Sequence, residues 1–181
     1  MSEELDNALA WMVHYCEQPV RESTKNRSAE IDAFNKLVGI PMGSPYCASC
    51  LSYCFHKFAS PADHLGHGFP SSGSSQAIKR AFRERGLYSE DPQDILEWKG
   101  ALGGWTNKDK VHGHIFMISH RLTNAQGKLL RIGTAEANTS AATGGRDGEG
   151  CFELTREIPV DRGHRLWFLR CDGIKGGAWW T

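Results

Sequence analysis

The hydrophobic pattern of this 181-residue chain changes period once, near its middle, and that change restricts the fold more than any single motif. In the first half apolar residues recur at helical spacing. Leu5, Leu9, Met12, Val13 and Cys16 mark a helix from Glu4 to about Glu17, ahead of Pro19. Ile31, Phe34, Leu37 and Val38 mark a second, with Ser28 as its cap and Gly39 as its stop. Cys47, Cys50, Leu51, Cys54, Phe55 and Phe58 mark a third, and Gln76 to Arg85, stopped by Gly86, a fourth. Beyond these the segments Asp94–Trp98, Ile115–His120, Lys128–Thr134, Cys151–Ile158 and Arg165–Arg170 read as short strands. Turn-rich pieces such as Thr123–Gly127 and Thr143–Gly150 separate them. Helices first and strands afterwards predict an α+β domain whose antiparallel sheet packs on the helices.

The length suits one domain spanning 1–181, with a helical part over about 1–86, a sheet part over about 94–170 and a short aromatic tail carrying Trp179 and Trp180. Lys+Arg and Asp+Glu both number 21, so no net field draws in nucleic acid, and no apolar run approaches a membrane span. The acidic start MSEELDNALAW lacks the basic and apolar regions of a secretory signal, which implies synthesis in the cytoplasm. Six cysteines in that setting are expected as thiols rather than as a disulfide framework.

Ile40–Tyr46, with two prolines and a glycine, is a shaped loop, so Cys47 falls at a helix N-terminus. Unpaired N–H groups and the helix dipole favour a thiolate there and could also hold an oxyanion. A small buried residue at a helix start accounts for the position equally well, and a base is needed to decide. His114, between Gly113 and the strand IFMIS, is the histidine with a rigid support; His112 lies nearer the loop. Strand alternation turns Thr134, Glu136 and Asn138 to one side, where a carboxylate or amide can fix the imidazole tautomer. An exposed polar strand face would show the same pattern, and spacing does not choose between Glu136 and Asn138.

GSPYCASCLSYC resembles the nucleophile segment of CHAP-type peptidoglycan hydrolases, GHIFMI resembles their Gly-His strand, and GTAEANTS resembles their Glu-x-Asn segment, all three in family order. Weaker similarity extends through VRESTKNRSAEIDAFNKLVGIP and RDGEGCFELTRE. The resemblance implies a papain-like fold and a cysteine amidohydrolase or peptidase. It makes Cys47 the nucleophile, His114 the base, Glu136 the orienting residue and Asn138 an assisting one. Tyr46, in place of the usual Trp, and Gly113 are expected at the substrate cleft. The implied substrates are amide bonds in peptidoglycan stem peptides, in cross-bridges, or between muramic acid and L-Ala. No cofactor is implied, and the acidic residues with which some relatives bind calcium before the nucleophile are missing.

Three other readings compete. Cys47-x-x-Cys50 at a helix start also suits a dithiol redox protein, although no βαβ pattern surrounds it. Zinc binding by Cys47, Cys50, Cys54 and His56 is disfavoured because three cysteines along two helical turns poorly suit a tetrahedral ion. A non-catalytic wall-binding domain is the third. A wall hydrolase without an export signal fits release by a phage lysis system as an endolysin, or injection by a secretion machine together with an immunity or delivery partner.

Overall fold

The computed structural model describes residues 3–18, 20–57, 69–107, 112–141, 146–158 and 165–172. The expected Pro19 and Phe58 helix ends and the tail tryptophans lie outside them. Four helices come first: α1 (Glu3–Glu17), α2 (Ala29–Leu37), α3 (Cys47–His56) and α4 (Ser75–Glu84). Six strands follow: β1 (Tyr88–Ser89), β2 (Ala101–Thr106), β3 (Gly113–Thr123), β4 (Leu129–Thr139), β5 (Arg146–Glu157) and β6 (Arg165–Arg170). They form one antiparallel sheet in the order β1-β6-β2-β3-β4-β5. The fold is thus α+β in a papain-like arrangement, N-terminal helices packed on a C-terminal antiparallel sheet. No helix among the described residues is long and apolar enough to cross a membrane.

The helix boundaries have local causes. The Ser28 hydroxyl accepts from the Ile31 N–H at 3.2 Å, satisfying one of the unpaired donors of the first turn of α2. After α2, Gly39 takes a φ of 68°, a left-handed conformation that ends a helix without the penalty of a side chain. Ser74 caps α4 in the same way as Ser28 caps α2.

The sheet is buried on both faces. On the helical side Leu102, Ile115, Met117, Ala135, Ala137 and Trp167 join the core built by α1, α3 and α4. On the far side Trp105, Phe116, Ile118, Ile132 and Phe168 pack around Ile95 in a second cluster. Alternation over Ile115–Met117 of β3 and Ile132–Ala137 of β4 therefore sends odd-numbered residues such as Ile115 and Ala135 toward the helices and even-numbered ones such as Phe116 and Ile132 the other way.

The strands depart from expectation in three places. Asp94–Trp98 is not a strand: Asp94–Leu96 is a short 3-10 helix. The Asp91 carboxylate accepts from the Gln93 N–H at 2.8 Å, and such a local side-chain bond favours a turn over extended pairing. β2 has no strand pattern in the sequence, since adjacent glycines in a short segment ordinarily mark a turn. Its glycines are there for packing: a Cβ on Gly103 would meet the Phe116 ring and one on Gly104 would meet Trp167 and the His114 carbonyl. β5 begins at Arg146, inside the segment expected as a turn.

Candidate functional site

Cys47 is the first residue of α3, and the loop ahead of it is fixed by buried polar side chains. Asn35, on α2, donates from Nδ2 to the Ser44 carbonyl at 3.2 Å and accepts from the Ser49 hydroxyl at 2.6 Å, so one amide ties the loop to α3. Asn26 donates to the Gly43 carbonyl at 3.0 Å, where Gly43 turns the chain with a φ of 83°. At the start of α3 no side chain caps the first turn and no acidic residue lies in it. The partial positive charge of that helix end is therefore offset by nothing on the helix itself and favours an anion at Cys47.

His114 is fully buried on the second residue of β3, and its Nε2 lies 2.9 Å from Oε2 of the equally buried Glu136 on β4. Nδ1 is buried with no hydrogen-bond partner, and Cys47 is near enough for its thiol to raise the ring's affinity for a proton. Between Glu136 and Asn138, the residue meeting the imidazole is Glu136. The side-chain amide of Asn138 is buried with neither of its polar atoms bonded. The backbone explains the difference: pairing with β5 shifts register between Ala137 and Thr139, and Asn138 adopts a left-handed φ of 58°. Simple alternation thus holds through Thr134 and Glu136 and breaks one residue before Thr139.

Two residues not singled out in the sequence complete the surroundings. Arg156 on β5 grips Glu136 with two bonds, Nε to Oε1 at 2.5 Å and Nη2 to Oε2 at 2.6 Å. Trp105 on β2 stacks on His114 with ring centroids 4.5 Å apart. The signal for Arg156 was available. In FELTRE alternation groups it with Phe152 and Leu154, and a cation in a buried register calls for a buried anion. Trp105 was hidden with its strand. The Thr134 hydroxyl also donates to Glu136 Oε1.

These contacts set the charge states. Burial pulls the His114 imidazolium down, but Cys47 and then Glu136 outweigh it and push the group up to about 9. Burial pushes the Glu136 carboxyl up, and bonds from His114 and Arg156 more than reverse this, holding it at about 2. At neutral pH the two shifts favour an imidazolium against a carboxylate.

Cys47 opens onto a cleft of about 270 Å³. Its lining comes from the loop before α3, from Gly73 to Ser75 at the start of α4, and from His112 and Gly113 at the start of β3. Among the described residues no carboxylate and no lysine or arginine lines it. Ser52 on α3 fixes the chain just ahead of Gly73, donating to the Ser72 carbonyl at 3.1 Å and accepting from its N–H at 3.0 Å. Gly113 thus borders the cleft. Tyr46 has no exposed surface, and its ring belongs to the helical core, so it supports the cleft from behind rather than lining it.

The remaining thiols have packing surroundings. Cys50 and Cys54 are fully buried with their sulfurs 3.7 and 4.0 Å from Met12 Sδ, in the helical core that also holds Cys151. Burial and its thiol neighbours push the Cys50 thiol well up, away from a reactive thiolate. Among the described residues no group of three or more His, Cys, Asp or Glu side chains is disposed to hold a metal ion. His64, His67 and His164 lie outside the described residues. A scan against protein-family models, a search of curated proteins and a search of solved structures each returned no match to this chain.

Proposed function

We propose that this chain is a cysteine-dependent amidohydrolase or peptidase of the CHAP type, acting on amide bonds of bacterial peptidoglycan. The observation that carries the reading is the buried His114–Glu136 pair, bonded at 2.9 Å, with Cys47 at a helix start close enough to act on the imidazole. A thiolate beside an imidazolium needs no further activation to attack a carbonyl. The attack forms a carbon–sulfur bond and moves the carbonyl electron pair onto oxygen, next to the first-turn N–H groups of α3. Collapse of that intermediate expels the amine, which takes the proton from His114 Nδ1. Water then attacks the thioester with neutral His114 as base and releases the acid. Glu136, bonded at Nε2, holds the ring so that Nδ1 stays on the side of the sulfur.

The substrate class rests on the motif resemblance, and the cleft supports it. A cleft whose described lining is mainly proline, serine and glycine suits a backbone flanked by small neutral residues, as alanine and glycine of stem peptides and cross-bridges are. Delivery to the wall by phage lysis or by injection, with any immunity partner, belongs to the same proposal. Purified sacculi incubated with the protein should release soluble fragments, and mass spectrometry of the muropeptides identifies the bond cut. Intact sacculi after treatment with folded protein, together with retention of the protein on them, would favour a wall-binding domain instead.

A further inference from the structure

Arg156 stands at a strand position that alternation turns toward the buried side of the sheet, and it is only 10 % exposed. Its guanidinium meets both oxygens of Glu136, a forked geometry that fixes the plane of a carboxylate as well as its charge. Oε2 thereby receives both Arg156 Nη2 and His114 Nε2. The same guanidinium lies 4.6 Å from the Trp105 ring centroid, and Trp105 in turn stacks on the imidazole. Arg156 therefore touches both groups that orient His114: the carboxylate bonded to its edge and the indole packed on its face.

We propose that Arg156 is a positioning residue of the Cys47–His114 pair, fixing Glu136 and Trp105 so that the imidazole keeps Nδ1 toward the thiol and its carboxylate partner stays ionised. The inference rests on the reading of Cys47 and His114 given above and extends it. Among the described residues, the polar and charged groups facing Glu136 are His114 from β3, Arg156 from β5 and the Thr134 hydroxyl on β4 itself. Those acting on His114 are Cys47 from α3 and Glu136 from β4. His114 must alternate between imidazolium and imidazole during a reaction cycle. In the neutral half of that cycle a buried Glu136 without Arg156 would have no cation, and it would take up a proton or lose its position. With Arg156 in place the carboxylate is paired throughout.

The test reads the thiol rather than turnover. Iodoacetamide labelling of Cys47, quantified on its peptide by mass spectrometry from about pH 4 to about pH 9, compares the parent with Arg156→Met, Arg156→Lys and His114→Ala, each checked by circular dichroism. The parent should label well below the pH of an ordinary thiol. Arg156→Met should move the labelling midpoint up by about one unit, because the Glu136 carboxylate loses its permanent cation. Arg156→Lys should fall between them, keeping a charge but not the fork. A folded Arg156→Met with the parent's profile overturns the proposal. Should that variant not fold, Arg156→Lys decides: a raised midpoint supports the role and an unchanged one removes it. A parent that labels like an ordinary thiol, unaltered by His114→Ala, would instead remove the Cys47–His114 reading beneath it.

Discussion

Trp105 lies against the face of His114, the two ring planes 30° apart and their centroids separated by 4.5 Å. The indole closes one face of the imidazole while Glu136 holds its edge, so the ring has little freedom to turn. Trp105→Phe should keep the fold and lower kcat by roughly three- to tenfold with KM nearly constant, because a smaller ring leaves the imidazole looser without touching the cleft wall. Trp105→Ala should lose about 3–5 kcal/mol of stability as well, since it empties part of the far-side core. Chemical denaturation alongside steady-state kinetics separates the two effects. A Trp105→Phe variant that raises KM and spares kcat would show that the indole serves substrate binding instead.

Cys47→Ala should abolish hydrolysis while leaving the melting temperature close to the parent's, because it removes one sulfur from a residue at the cleft. Cys50→Ala should do the opposite. Its sulfur packs at 3.7 Å from Met12 Sδ in a fully buried site, so the loss is about 1–2 kcal/mol of stability with activity retained. A dithiol redox role requires both thiols, and loss of function in a folded Cys50→Ala would revive it.

The pH dependence follows from two opposite shifts. His114 is raised from 6.5 to about 9, so its contribution to stability is complete below about pH 6.5 and disappears as pH rises through about 9. Glu136 is lowered from 4.5 to about 2, so its contribution is complete above about pH 4.5 and disappears as pH falls through about 2. The pair therefore stabilises most between those ranges, from about pH 4.5 to about pH 6.5. Activity should decline on the alkaline side near pH 9, where the proton for the leaving amine is lost. Glu136→Gln removes a facing negative charge, and it should move that alkaline limb of kcat/KM downward by a unit or so. An alkaline limb that stays in place in Glu136→Gln would mean that another group sets it.

The helices were legible because each presents an apolar stripe to a core, and Ser28 and Gly39 mark the ends of α2 by mechanisms a sequence displays openly. β3 and β6 were legible as apolar runs between turns. β2 was not, because its central glycines answer to Phe116 and Trp167, residues far along the chain whose rings need the space. In the same way Cys47 and His114 could be named from local context, a helix start and a strand start. The choice of Glu136 over Asn138 depends on a register shift with β5 that single-strand alternation cannot contain. Tyr46, which the resemblance places at the cleft, is instead fully buried in the helical core, a matter of packing that its neighbours in the sequence do not display.

Asn138 gives the sharpest separation between backbone and side-chain roles. Its φ of 58° is one that asparagine and glycine accept far more readily than other residues, and its amide is buried without a hydrogen-bond partner. The residue is thus required first for the turn at the end of β4, which brings the chain past the bulge and leaves Glu136 facing His114. Asn138→Gly should preserve the melting temperature and keep activity within about threefold, because glycine adopts the same backbone at no steric cost. Asn138→Ala should cost about 1–2 kcal/mol, as a Cβ is strained in that conformation, with lower activity in proportion to any displacement of Glu136. Thermal melts and kcat/KM of both variants distinguish the roles. A folded Asn138→Gly with a tenfold to hundredfold loss, on the order of 1.5 to 3 kcal/mol, would mean that the amide hydrogen-bonds a charged group during the reaction and that the backbone account is wrong.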